Sequence, residues 1–101
     1  MQHWYLYLIR TSEGALYTGI ATDIERRLAD HRRGGTRGSK YLRSRGPLEI
    51  AYDVPIGDRA LALRVEARMK KLPKVDKERV VATSPDRERL LEILDVGTSD
   101  V

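Results

Sequence analysis

Cysteine is absent from this sequence, which excludes disulfides, zinc–thiolate sites and thiol catalysis and permits a reducing compartment. The longest apolar run, Trp4–Ile9, is far too short to span a bilayer, so no membrane partner is expected. No basic start followed by an apolar stretch appears, so we expect no signal peptide and a cytoplasmic location. Acidic residues are almost missing from one segment: residues 26–45 hold eight Lys and Arg against Asp30 alone. With a total charge of +4, that local +7 leaves the remainder at −3. A second basic stretch, Arg64 to Arg79, has seven cations against three acids. Positive charge concentrated in this way points to a polyanion partner, whereas a single such stretch reads equally well as a solvated surface.

What is present suits one domain with a modest core: 101 residues, 41% of them apolar and 34% charged. Trp4–Ile9 and Ala15–Ile20 are rich in aromatic and branched residues, the composition of strands, with the turn-like Ser12-Glu13-Gly14 between them. A turn centred near Ser12 pairs Tyr7 with Tyr17 and Tyr5 with Gly19. Those four residues then share one face, and the glycine leaves room for something to approach. Thr22-x-x-Glu25 is a capping box that starts a helix at about Thr22. At about 100° per residue, Ile24, Leu28 and His31 face the sheet, Arg27 lies at the edge of that arc, and Arg26 points to water.

Further on, Arg32–Arg45 is a loop rich in Gly, Ser and Arg, whose Arg32, Arg33, Arg37, Lys40, Arg43 and Arg45 can neutralise phosphates. Tyr41 within it can stack on a base or anchor the loop to the core. Leu48–Val54 alternates as a third strand, with Leu48, Ile50, Tyr52 and Val54 on one face. Asp58 caps a long helix that Pro73 stops after Leu72, with Leu61, Ala62, Val65, Met69 and Leu72 as its buried stripe. Glu66 sits at the margin of that stripe. Taken alone it is an i,i+4 partner for Lys70. A third helix covers about 74–82, and Ser84-Pro85 opens a fourth that ends near Asp95, beyond which residues 96–101 are expected to fray.

Tyr5-Leu6-Tyr7, then Tyr17-Thr18-Gly19, then Arg27 together resemble the GIY-YIG nuclease superfamily. Within it, LYTGIATDIERRLADH and ALRVEARMKKL are similar to the small single-domain YhbQ-like bacterial group. The resemblance covers roughly residues 3–82 and implies an α/β fold, a small mainly antiparallel three-stranded sheet flanked by helices. Residues 1–82 are then the nuclease-like domain, with 83–101 a C-terminal helix and tail packed on it.

The resemblance further implies a divalent-metal-dependent endonuclease that hydrolyses phosphodiester bonds in DNA, in repair or processing. Tyr17 corresponds to the general base, and Tyr7 to a residue that lines the site and orients water or phosphate. Arg27 corresponds to the group that holds the scissile phosphate, His31 to one that positions phosphate or leaving group, and Glu66 to the ligand of Mg²⁺ or Mn²⁺. Two departures stand out. Ile20 occupies a position where some members carry Lys, and the chain has no Asn to supply one found after the metal-binding helix in others. The alternative is a nucleic-acid-binding module, or a subunit that depends on a partner. DNA is the expected partner with RNA still open, and a homodimer or a protein partner would supply specificity.

Overall fold

A computed structural model describes residues 2–33 and 47–97, with the side chain of Arg33 left out. Strand β1 (Trp4–Arg10) lies at the centre of a three-stranded sheet, between β2 (Leu16–Ala21) and β3 (Glu49–Gly57). Both pairings are antiparallel. The four helices are α1 (Ile24–Arg33), α2 (Arg59–Lys71), α3 (Lys74–Thr83) and α4 (Arg87–Leu94). This is the expected fold class.

The hairpin pairs Tyr7 with Gly19, Ile9 with Tyr17 and Tyr5 with Ala21, two residues away from the register the sequence suggested. The turn itself is the cause. Thr11 N–H donates to Ala15 at 3.0 Å, Gly14 N–H donates to Thr11 at 2.9 Å, and Gly14 takes φ +87°. That left-handed glycine closes a three-residue loop centred on Glu13 rather than Ser12. A slip of two residues preserves facing, so the shared face of Tyr5, Tyr7, Tyr17 and Gly19 survives.

Strand β3 departs from simple alternation. Leu8 pairs with Tyr52 but Ile9 pairs with Ile50, so a bulge at Ala51 turns the strand over. Leu48 and Ile50 therefore join Tyr7, Ile9, Ala21, Tyr17, Ile24 and Leu28 beneath α1. Tyr52, Val54 and Ile56 pack instead with Leu6 and Leu8 against α2, α3 and α4. Pro55 is accommodated because β3 is an edge strand.

The caps also correct two expectations. Asp23, not Thr22, caps α1, its carboxylate accepting from Arg26 N–H at 3.1 Å. Asp86, not Ser84, caps α4 by accepting from Arg89 N–H at 2.9 Å, while Ser84 ends α3 in the left-handed region at φ 46°. A carboxylate placed at a helix N-terminus gains from the helix dipole as well as from the hydrogen bond, which favours Asp at both starts. The expected cap at Asp58 is present, accepting from Leu61 N–H at 2.8 Å. Val96 does not fray. It is buried in the main core, and its N–H donates to Leu91 at 2.9 Å; residues 98–101 lie outside the described part.

One core position carries a cost. Thr18 stands opposite Leu8 on the face covered by α2, and its buried hydroxyl has no partner among the described residues. Thr18→Val should raise stability by about 1 kcal/mol in a urea melt, by removing an unsatisfied buried hydroxyl at nearly constant shape. DNA binding should be unchanged, since Thr18 faces away from the tyrosines.

Candidate active site

Directly opposed residues of an antiparallel pair point the same way, so Tyr7 extends over the bare Cα of Gly19. A Cβ built on Gly19 would overlap the hydroxyl and Cζ of Tyr7. Glycine is therefore required here for close approach, whatever its backbone freedom. Gly19→Ala should displace the phenol and cost about 1–3 kcal/mol of stability, the scale of overpacking a tight site. In a Tyr7→Ala background the same change should cost almost nothing, and urea melts of the four proteins in that cycle test this.

Helix α1 lies on this face because Ile24 and Leu28 pack into the smaller core, and that places His31 over the tyrosines. The Tyr7 hydroxyl is 3.2 Å from His31 Nε2, and both residues are 3% exposed. The His31 ring meets Tyr17 edge to face at 5.5 Å between centroids, and Tyr7 at 6.4 Å. Burial raises the Tyr7 pKa well above the ordinary tyrosine value; Arg27 opposes this, while Tyr17 and Glu66 push the same way. Burial, then Arg27, lowers the His31 pKa, with Asp30 opposing. At neutral pH a protonated phenol thus meets a neutral imidazole, and when Nε2 accepts from Tyr7 the ring proton sits on Nδ1. Tyr7 is consequently a poor base. Tyr17 is less buried than Tyr7.

Arg27 and Glu66 come from different helices, and each acts electrostatically on Tyr7. Contacts join Tyr7, Tyr17 and His31 directly, whereas Arg27 and Glu66 are linked to them through their charges at Tyr7. The Glu66 side chain is 20% exposed and lies 3.5 Å from Lys70 Nζ, the i,i+4 pair the helix spacing suggested. That pair is long, and its lysine is 56% exposed, so it holds the carboxylate only loosely. No group of three His, Cys, Asp or Glu gathers for a metal among the described residues. A lone hard oxygen donor is still compatible with Mg²⁺, which keeps several waters and takes one or two carboxylates plus substrate phosphate.

The phosphate-binding residues divide. Arg32 donates to the Leu48 carbonyl at 2.8 Å, tying α1 to the start of β3. The Arg33 side chain and Arg37, Lys40, Tyr41, Arg43 and Arg45 lie outside the described residues. The second basic stretch makes several contacts with the rest of the fold while most of its cations stay exposed. Arg64 and Arg68 donate to the carbonyls of Gly97 and Leu94, each at 3.2 Å. Lys74 donates to Gly14 at 2.7 Å, and Arg79 pairs with Asp76 at 3.3 Å.

Sequence reasoning missed two residues beside the site. Asp30 is 6% exposed and supports the charge of His31; its signal was its isolation in a basic run. Trp4, the single tryptophan, lines a cleft with Arg26 and Arg27.

A family model described as the GIY-YIG catalytic domain matches residues 3–79. This chain belongs to that family, whose domain is that of nucleases. It is 52% identical over 94 residues to the UPF0213 protein YhbQ of Escherichia coli O139:H28, covering 93% of this chain and 92% of that protein. It is 51% identical over the same span to YhbQ of Shigella boydii serotype 18. Among solved structures, the solution NMR structure of UPF0213 protein BH0048 from Bacillus halodurans superposes with a TM-score of 0.53 at 33% identity. That superposition covers 81% of this chain and 85% of BH0048.

Proposed function

We propose that this chain is a divalent-metal-dependent endonuclease that hydrolyses phosphodiester bonds in DNA, in repair or processing within the cytoplasm. The observation that carries the reading is the Tyr7 hydroxyl held 3.2 Å from His31 Nε2 above the bare Cα of Gly19, with the His31 ring edge-on to Tyr17 and the charges of Arg27 and Glu66 felt at Tyr7. Phosphodiester cleavage needs an activated water, charge stabilisation on phosphoryl oxygens and help for the leaving oxygen. When Mg²⁺ or Mn²⁺ is bound, it supplies charge neutralisation at the phosphate and the leaving oxygen. Glu66 is the residue that would hold it. Arg27 binds the scissile phosphate through its planar guanidinium. Tyr17 takes the proton of the attacking water. Tyr7, fixed on His31, orients that water or the phosphate, and His31 steadies phosphate or leaving group. Residues 1–82 form the nuclease unit in this reading, and α4 packs against α2 behind it.

The second reading is a binding module, or a partner-dependent subunit, that cuts little by itself. The Glu66–Lys70 pair favours it, because it gives the carboxylate a role without metal. A panel of labelled duplex, nicked, branched and single-stranded DNA, with RNA alongside, decides between them in Mg²⁺, Mn²⁺ or EDTA. Nicking that EDTA abolishes supports the enzyme. Tight binding with no nicking on any substrate supports the binder.

DNA affinity should fall steeply with salt through counterion release. Neutralising Arg37, Lys40 and Arg43 together should flatten the log–log slope by about two to three units, at nearly one unit per lost phosphate contact. Filter binding across a salt series measures this. An unchanged slope would move the phosphate footprint elsewhere.

A further inference from the structure

The nuclease reading leaves Trp4 without a role, yet the residue is well placed for one. It opens β1 and is half-buried, with part of its ring against the main core. The Arg59 guanidinium, at the start of α2, stacks over the indole at 5.7 Å from a ring centroid. Trp4 also lines a cleft of about 120 Å³ whose other wall is the start of α1 and the residues leading into it. On that wall Asp23, Arg26, Arg27 and Asp30 recur at i, i+3, i+4 and i+7, which puts them on one edge of the helix. Arg59 does not line the cleft.

We propose that this cleft receives one unstacked nucleobase, resting on Trp4, next to the phosphate held by Arg27. The proposal rests on the nuclease reading. Arg27 links the two places: it lines the cleft and also acts on both Tyr7 and His31. Arg27 and Trp4 line the same cleft, so a nucleotide whose phosphate sits on Arg27 would turn its base towards Trp4. The space is equivalent to about four water molecules at ~30 Å³ each, enough for one planar ring but not for a base pair. An aromatic wall flanked by arginines is the combination that binds single-stranded nucleic acid through stacking and phosphate contacts. The Thr22 hydroxyl, also in the lining, offers a donor and an acceptor to the base edge. Stacking alone selects no particular base, so the subsite discriminates unpaired from paired rather than one sequence from another.

Because the chain has a single tryptophan, indole emission excited beyond the tyrosine band reports on this residue alone. The full-length protein in EDTA is titrated with a short end-labelled single-stranded oligonucleotide, and with the same strand carrying abasic sites throughout. Label anisotropy follows binding, and indole emission follows stacking. We expect saturable quenching by the base-bearing strand and binding without quenching by the abasic one. Equal emission changes with both strands, no change on binding, or no binding at all would overturn the subsite. Trp4→Leu should weaken the base-bearing strand about tenfold, the scale of losing one stacked base, and leave the abasic strand unaffected. Trp4→Phe, which keeps a ring, should retain most of that affinity and guards against a Trp4→Leu protein that fails to fold. Parallel nicking assays separate the two claims. Metal-dependent nicking without quenching overturns the subsite and spares the nuclease, whereas quenching without nicking on any substrate does the reverse.

Discussion

Glu66→Gln is expected to abolish metal-dependent cleavage while DNA affinity measured in EDTA holds or rises slightly. The substitution keeps the shape of the side chain and removes its charge. Glu66 lies on α2 among Arg64, Arg68, Lys70 and Lys71, where an unmetallated carboxylate repels a polyanion. A binder gains nothing from it, but an enzyme that recruits a divalent ion needs it. If Glu66 serves only Lys70, the variant loses a few tenths of a kcal/mol of stability and nothing else, since exposed i,i+4 pairs contribute little. Tyr17→Phe gives an independent check: it removes one hydroxyl, so cleavage should vanish with binding intact. Nicking that survives Glu66→Gln, in protein freed of contaminating nuclease, would remove Glu66 from the site.

Arg27→Ala should cost at least ~10²-fold in cleavage rate, the scale of losing a positioned charge-stabilising group. Arg26→Ala should lose only part of the binding. The two residues are neighbours on α1, but Arg26 is exposed whereas Arg27 is half-buried and acts on the Tyr7–His31 pair. A second readout is independent of catalysis. Arg27 lowers the His31 pKa, so its removal should raise that pKa, and protonation should begin at higher pH. Imidazole proton NMR can follow this, with His3→Gln used to assign the two histidines. Equal rate losses in the two variants, with no movement of His31, would mean that Arg27 does not face the tyrosines.

Which parts of this arrangement were visible beforehand depended on how local their cause is. The parity of the tyrosines was readable because strand side chains alternate, and an error of two residues in register leaves parity untouched. The register itself was not readable, because it hangs on the left-handed conformation of Gly14, which the residue type permits but does not require. The phase of α1 was correct to the residue, since Ile24, Leu28 and His31 define one arc and all three turn inward. Its cap was misplaced by one residue because Thr22 and Asp23 are both able caps, and only the backbone decides which side chain reaches Arg26 N–H. The contacts of the basic stretch after Arg64 were hidden for a related reason. Composition counts cations, but it cannot show that the exposed Arg64 and Arg68 also donate to the carbonyls of Gly97 and Leu94.

By itself, then, the sequence determined the strands and helices, the inward faces and the candidate residues, all of which follow from patterns only a few residues long. Tertiary structure alone decided that Tyr7 lies on Gly19 and against His31, that the bulge at Ala51 moves Ile50 beneath α1, and that Asp30 is buried beside the site. It also decided that Glu66, from a helix on the other side of the sheet, lies close enough to act on Tyr7. These are contacts between segments far apart in the chain. Packing of the two cores against β1 sets them, and no local pattern carries that information.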